Sequence, residues 1–195
     1  MIEDCTALIL AGGDSRRMGQ DKATLVLDGR TLLESVTATM QQVFPKVVVS
    51  VRQLRAGVEV PQVFDEQPAS GPLAGLIAGL TQADTPWVFA VACDMPFVTQ
   101  AAVEYLASCR GGFQAVVPMV DGYPQPLAAF YAQSALGAMR ANMAAGDKSL
   151  RGMLQKLEVR YVNEAELREC DPQLRSFFDL DTPQDVAIAM NEVKR

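Results

Sequence analysis

Histidine is absent from the 195-residue chain. An imidazole group is the usual general base near neutral pH, the partner of a catalytic serine and a frequent zinc ligand. Serine–histidine hydrolase mechanisms and histidine metal sites are therefore excluded. The four cysteines, Cys5, Cys93, Cys109 and Cys170, form no C-x-x-C pair. We expect these thiols to be reduced, and Cys93 to serve as a small apolar residue at a buried strand end rather than as a nucleophile.

The chain shows no secretory signal at its start and no apolar run of about 18 residues, which predicts a cytoplasmic protein without a membrane partner. Its 17 basic and 23 acidic residues give a formal net charge of −6. That balance argues against a nucleic-acid partner, because such proteins carry a basic face that displaces counterions from phosphates. An anionic ligand must therefore be met by a local cluster of cations.

Apolar segments of strand length alternate along the chain with segments of helical period, which predicts an α/β fold with a mostly parallel sheet in three layers. A length of 195 residues and a hydrophobic content of 49% suit one domain that spans residues 1–195. Strands are expected at residues 5–11, 46–51, 62–65, 87–93, 114–118 and 127–131. Helices are expected at residues 31–43, 73–83, 99–108 and 133–144, with a closing helix from residue 182.

Small or polar residues follow the first four predicted strands. Gly12 and Gly13 come after the first strand, and Ser50, Asp65 and Asp94 come at the ends of the next three. In open α/β sheets, ligands bind outside the carboxyl ends of the strands, at the point where the strand order reverses. The sequence therefore predicts one cleft to which these residues contribute.

The run from Leu10 to Lys22 combines glycines with three cations, Arg16, Arg17 and Lys22. Glycines allow backbone N–H groups to approach phosphate oxygens, and fixed cations neutralise phosphate charge. The spacing fits neither the dinucleotide fingerprint nor a Walker A loop. The run predicts a nucleotide site of another class.

The same run resembles the signature of the molybdenum cofactor guanylyltransferases, the MobA family, through Leu-Ala-Gly-Gly at 10–13, Arg-Met-Gly at 17–19 and Asp-Lys at 21–22. Four further motifs follow in the family's order: Gly-Pro-Leu-Ala-Gly at 71–75, Cys-Asp-Met-Pro at 93–96, Gln-Pro-Leu at 125–127 and Asp-Leu-Asp-Thr-Pro at 179–183. The resemblance extends over nearly the whole chain.

This resemblance implies a Rossmann-like nucleotidyltransferase fold and transfer of GMP from Mg²⁺·GTP to the terminal phosphate of molybdenum-bound molybdopterin. The products would be pyrophosphate and the molybdopterin guanine dinucleotide cofactor. GTP and molybdopterin would be the substrates, Mg²⁺ the cofactor, and molybdoenzymes or their chaperones transient partners.

The resemblance also implies roles for individual residues. The expected catalytic residues are Arg17, Lys22 and Asp94. The expected GTP-binding residues are Leu10, Ala11, Gly12, Gly13, Lys22, Ser50, Asp65 and Asp94. The expected Mg²⁺ ligands are Asp94 and Asp181, and the expected acceptor-binding residues are Gln125, Pro126, Lys148, Ser149 and Arg151.

Structural interpretations remain open for several of these residues. Asp94 and Asp181 could each cap the helix that follows. Lys22 could be a surface lysine, and residues 148–151 could be the solvated start of a helix. Arg16, beside the motif arginine Arg17, is expected to face solvent.

Alternative functions also remain. A cytidylyltransferase for the same cofactor, or a sugar-phosphate nucleotidyltransferase, would share the glycine-rich loop and the metal-binding aspartate. The Gly12-Gly13 pair and Asp21 favour the guanine enzyme, since the cytidine-using relatives usually have Ala-Gly and Pro at these places. A non-enzymatic GTP-binding adaptor would need no metal carboxylate, so Asp94 argues against it.

Overall fold

The computed structural model describes residues 1–12, 21–64 and 71–193. Its main sheet has the strand order β10-β7-β9-β6-β1-β4-β5, and β8 pairs with β7. A separate two-stranded ribbon is formed by β2 and β3. The strands are β1 (Cys5–Leu10), β2 (Val26–Leu27), β3 (Arg30–Thr31), β4 (Lys46–Val51), β5 (Gln62–Phe64), β6 (Trp87–Ala92), β7 (Ala115–Val120), β8 (Tyr123–Pro124), β9 (Ala128–Ala132) and β10 (Val159–Val162).

The main sheet is mostly parallel, as predicted. Strand β1 runs parallel to β4 and β6, β4 parallel to β5, and β10 parallel to β7. Strand β9 is antiparallel to both of its neighbours, β6 and β7, and β8 is antiparallel to β7. The order reverses around β1, because β4 lies on one side of it and β6 on the other. The carboxyl ends of β1, β4 and β6 therefore meet at a single crevice.

Helices cover both faces of the sheet and complete the predicted three layers. They are α1 (Leu32–Val43), α2 (Pro72–Gln82), α3 (Gln100–Ser108), α4 (Leu136–Ala144), α5 (Leu150–Leu154), α6 (Glu164–Leu167) and α7 (Pro183–Val193). Along β1, Ala7 and Ile9 enter one apolar cluster with α1 and α3, whereas Leu8 and Leu10 enter the other with α2, α4 and α5. No helix in the described parts of the chain is long and apolar enough to cross a bilayer.

Polar residues define where the longer helices begin. Thr31 accepts a hydrogen bond from the Glu34 N–H in a capping box, so α1 starts one residue later than predicted. At α3 the Thr99 hydroxyl alone provides the cap, by accepting a hydrogen bond from the Ala102 N–H. The predicted helix 133–144 opens instead as a 3-10 turn, Gln133–Ala135, before α4. The short strands β5 and β9 were predicted, but six other elements of two to five residues were not, because they are too short to show a period; these are β2, β3, β8, β10, α5 and α6.

Helix α2 packs against the sheet beside the crevice, and Gly75 permits the close approach. A Cβ atom at Gly75 would lie 2.7 Å from Ser50 Oγ and 3.1 Å from Leu10 Cδ2. The helix begins after Gly71, which has a φ of 74° that favours glycine, with Pro72 in the first turn. The small residues of 71–75 thus bring the amino end of α2 to the carboxyl ends of β1 and β4.

Candidate active site

A cavity of about 550 Å³ lies at the carboxyl ends of β1, β4 and β6. It receives residues from these strand ends, the start of α2, the segment after β8 and the segment before α7. Nine predicted site residues line it: Leu10, Ala11, Gly12, Lys22, Ser50, Asp94, Gln125, Pro126 and Asp181. Sequence motifs that are far apart along the chain therefore do converge on one site.

Backbone hydrogen bonds hold the segments around the cavity in register. The Ala11 N–H donates to the Ser50 carbonyl at 2.9 Å, and the Cys93 N–H donates to the Leu10 carbonyl at 3.1 Å. The Leu180 N–H donates to the Asp94 carbonyl at 3.0 Å. The last of these bonds connects the turn after β6 to the segment before α7, which places Asp94 and Asp181 at the same edge.

Lys22 lies at the centre of the charged part of the site. It begins a 3-10 turn, Lys22–Thr24, that is capped by the Asp21 carboxylate. Its Nζ donates to Asp94 Oδ2 at 2.7 Å and also to Asp181 Oδ1, and its side chain is 16% exposed. Burial disfavours the ammonium ion, but the hydrogen bonds that it donates to Asp181 and Asp94, together with the negative charges of these two groups, outweigh burial, and the pKa of Lys22 is raised. Lys22 is thus a fixed cation in the cavity rather than a surface lysine.

Neither Asp94 nor Asp181 caps a helix. Helix α3 is capped by Thr99, five residues beyond Asp94. At α7, the Thr182 hydroxyl accepts from the Asp185 N–H at 3.2 Å, and the Asp185 carboxylate accepts from the Thr182 N–H at 2.7 Å. This capping box leaves Asp181 outside the helix and paired with Lys22, so the capping interpretation of both aspartates is wrong.

A third carboxylate, that of Asp179, also lines the cavity. Partial desolvation of this group and the negative charges of Asp181 and Asp94 raise the pKa of Asp179. Within the described residues, no three or more His, Cys, Asp or Glu side chains form a metal-binding group. Two carboxylates that already meet on one ammonium ion do suit Mg²⁺, which binds few protein carboxylates and takes its other ligands from phosphate and water.

The Cys93 thiol is not a nucleophile. It is buried at the end of β6, and burial together with the charge of Asp94 raises the pKa of Cys93 to about 12. The thiol is therefore protonated at neutral pH, and it packs as the small apolar residue that the sequence predicted.

Another part of the cavity wall is formed by Gln125, Pro126, Leu127 and Leu150. The buried hydroxyl of Tyr131 donates to the Pro126 carbonyl at 2.8 Å, which holds this wall against β9. The predicted residues Lys148, Ser149 and Arg151 are exposed and do not line the cavity. Ser149 caps α5 through the Gly152 N–H at 3.0 Å, and an acceptor role for these three residues stays a prediction.

Several predicted site residues, Gly13, Arg17 and Asp65, lie outside the described residues, as does Arg16. Other residues line the cavity although the sequence did not single them out as binding residues: Asp21, Val51, Arg52, Gly71, Pro72, Gly75, Ala92, Cys93, Met95, Leu127, Leu150 and Asp179. Many of these residues belong to the family motifs, so their place in those motifs could have identified them as binding residues. Arg52 belongs to none of the motifs.

A mostly parallel sheet between two layers of helices, with a largely buried lysine and paired aspartates at its carboxyl edge, is typical of the nucleotidyltransferase class of enzymes. Residues 7–161 match the family described as the MobA-like NTP transferase domain. A probable molybdenum cofactor guanylyltransferase of Chloroflexus aggregans is 36% identical over 94% of this chain and 92% of its own length. The molybdenum cofactor guanylyltransferase of Desulfosudis oleivorans is 32% identical over 99% of this chain and 98% of its own length.

Solved structures lead to the same family. The molybdopterin-guanine dinucleotide biosynthesis protein A of Archaeoglobus fulgidus superposes with a TM-score of 0.87 at 30% identity, over 97% of this chain and 98% of that one. The chain belongs to the MobA-like NTP transferase family, and the family resemblance predicted from its motifs is confirmed.

Proposed function

We propose that this protein transfers GMP from Mg²⁺·GTP to the terminal phosphate of molybdenum-bound molybdopterin and releases pyrophosphate. The names of its relatives support this reaction. The observation that carries the proposal is the contact of Lys22 with both Asp94 and Asp181 at the edge of a nucleotide-sized cavity. A cation and two carboxylates at one point match what a triphosphate and its metal require.

The acceptor phosphate brings the nucleophile to the reaction. A phosphate monoester is already anionic near neutral pH, so attack on the α-phosphorus requires positioning and charge neutralisation more than a protein base. An acceptor oxygen forms the new P–O bond as the bond to the pyrophosphate oxygen breaks. Lys22 neutralises charge at the α-phosphate, with Arg17 as a second cation. The lack of histidine does not hinder such a reaction.

Asp94 and Asp181 would hold the Mg²⁺ ion. When bound, the ion neutralises phosphate charge that the protein's own cations leave uncompensated. Both carboxylates pair with Lys22, whose single positive charge offsets one of their two negative charges.

The guanine base is expected at the ends of β1 and β4. Its N1–H and N2–H₂ groups need acceptors, which the second lone pairs of the Leu10 and Ala11 carbonyls can supply. Gly12, Gly13 and Ser50 would border the base, and Asp65 would hold the base or the ribose. Gln125 and Pro126 would contact the pterin, with Lys148, Ser149 and Arg151 nearer its phosphate.

Cellular partners follow from the product. A dinucleotide cofactor must be handed on, so we expect transient contact with molybdoenzymes or their chaperones in the cytoplasm.

A nucleotide-dependent shift in melting temperature tests the choice of base. GTP, CTP, ATP and UTP are added separately with Mg²⁺, because a ligand that binds only the folded state stabilises it by RT ln(1 + [L]/Kd). The proposal predicts a shift that is largest with GTP. A shift that is largest with CTP would replace guanylyl by cytidylyl transfer and leave the roles of Lys22 and Asp94 unchanged.

A further inference from the structure

The loop between β4 and β5 carries Arg55, whose backbone is held in place by one side chain. The Arg55 N–H donates to Gln62 Oε1 at 2.9 Å, and Gln62 Nε2 donates back to the Arg55 carbonyl at 2.9 Å. Gln62 is the first residue of β5, so this reciprocal pair ties the loop to the edge of the sheet. Arg55 is therefore presented from a fixed position, although it lies in a loop.

The Arg55 guanidinium contacts both ends of the glycine-rich run from Leu10 to Lys22. Its Nη2 donates to the Ala11 carbonyl at 3.0 Å, and its Nη1 lies 2.7 Å from Asp21 Oδ2. Ala11 precedes residues 13–20, and Asp21 follows them. The Arg55 side chain is 22% exposed and that of Asp21 is 45% exposed, so solvent screens the ion pair in part, and the fixed geometry of its two contacts matters more than its strength.

The contact with Asp21 continues to Lys22. One oxygen of Asp21 binds Arg55, and the other, Oδ1, accepts the Ala23 N–H at 3.1 Å and so caps the 3-10 turn that Lys22 begins. Lys22 then binds Asp94 and Asp181. A chain of direct contacts thus runs from Arg55 through Asp21 to the lysine that the proposed function places at the α-phosphate.

We infer that Arg55 is a positioning residue for nucleotidyl transfer: by bridging Ala11 and Asp21 it holds Lys22 in its place at the cavity. This inference rests on the proposed function for the role of Lys22. A guanidinium suits the task because it is planar and offers several N–H donors in a fixed fork, whereas a lysine offers a single ammonium ion. Arg55 does not line the cavity, and it acts through Asp21 and not on the substrate.

Arg110 provides a matched control. Its Nε donates to the Ala107 carbonyl at 2.9 Å and its guanidinium binds Asp4 at 3.1 Å, so it also bridges a carbonyl and a carboxylate. Its side chain is 16% exposed, comparable to that of Arg55. It lies against Trp87, at the amino ends of the strands and away from the cavity.

The test compares the full chain with Arg55→Met, Arg55→Lys and Arg110→Met. Amide hydrogen exchange at Ala23 reports the cap directly and needs no activity. Steady-state kinetics then give kcat and KM for GTP. We expect Arg55→Met to speed exchange at Ala23 and to lower kcat by about tenfold, a modest part of what misplacing a catalytic group can cost. KM for GTP should change less, because Lys22 acts on charge that develops in the transition state.

For Arg55→Lys, the exchange rate at Ala23 and kcat should both lie between those of Arg55→Met and the unchanged chain, because lysine can keep the ion pair with Asp21 but cannot make both contacts. For the control Arg110→Met, both quantities should match those of the unchanged chain. Unchanged exchange at Ala23 in Arg55→Met would overturn the inference whatever reaction the protein catalyses. Faster exchange with an unchanged kcat would also overturn it. If the unchanged chain transfers no GMP, the proposed function fails, and hydrogen exchange still decides the role of Arg55. If Arg55→Met does not fold, the same two measurements on Arg55→Lys test the inference, which predicts faster exchange at Ala23 and a lower kcat than in the unchanged chain.

Discussion

The ammonium group of Lys22 lies 2.7 Å from a carboxylate oxygen of Asp94, 72 positions further along the chain. The contact joins the turn that follows the glycine-rich run to the turn after the central strand β6. Both side chains are largely buried, at 16% and 15% exposure, so solvent screens the pair less than a surface ion pair. This pair is the charged centre on which the proposed reaction depends.

Replacing Lys22 by alanine should reduce turnover at least ~10²-fold, the scale of removing one preorganised electrostatic group from an active site. The measurement is pyrophosphate release at saturating GTP and acceptor. Lys46→Ala is the matched control, because Lys46 also binds an aspartate, Asp84, but through an exposed pair outside the cavity. Equal turnover in Lys22→Ala and Lys46→Ala would remove Lys22 from the mechanism.

Replacing Asp94 by asparagine should raise the Mg²⁺ concentration required for half-maximal activity, because an amide oxygen is neutral and binds a divalent cation more weakly than a carboxylate. Electron paramagnetic resonance with Mn²⁺ in place of Mg²⁺ measures the affinity independently of turnover. Asp84→Asn, which removes an exposed carboxylate far from the cavity, should leave the metal titration unchanged. The metal assignment fails if Asp94→Asn binds Mn²⁺ as the unchanged chain does.

Asp179→Asn should raise the melting temperature at neutral pH. Partial burial and neighbouring carboxylates raise the pKa of Asp179 in the folded chain, so its ionisation opposes folding. A group with a raised pKa contributes stability below its unfolded value and loses it as the pH rises through the folded value. The advantage of asparagine should therefore be present at pH 7 and disappear below about pH 3.9, where unfolded aspartate is also protonated. Thermal melts across this range check the sign, and a lower melting temperature at pH 7 would contradict it.

Much of the fold was predictable because long elements carry clear periods. Strand β4 has the predicted bounds, and α1 and α3 differ only by their capping residues, Thr31 and Thr99. The meeting of Gly12, Ser50 and Asp94 at one cavity was also predictable, since parallel strands bring their carboxyl ends together. Arg55 was not predictable, because its contacts with Ala11 and Asp21 arise from the path of a loop that has no period.

Tyr131→Phe should weaken use of the acceptor and spare GTP. The Tyr131 hydroxyl holds the Pro126 carbonyl at 2.8 Å, and Pro126 belongs to the wall proposed to contact the pterin. Loss of one hydrogen bond, worth about 0.5–1.5 kcal/mol, corresponds to a roughly 2- to 13-fold rise in KM for molybdopterin. Tyr161→Phe, on the edge strand β10, is the control. A rise in KM for GTP, with KM for molybdopterin unchanged, would assign this wall to the nucleotide instead.

The central claim is guanylyl transfer, and acceptor-dependent pyrophosphate release tests it most directly. The protein is incubated with Mg²⁺, molybdenum-bound molybdopterin and either GTP or CTP, and the dinucleotide product is identified by its mass. The account predicts pyrophosphate and the guanine dinucleotide in equal amounts with GTP, much less product with CTP, and none without the acceptor. Release that is faster with CTP, or independent of molybdopterin, would contradict it.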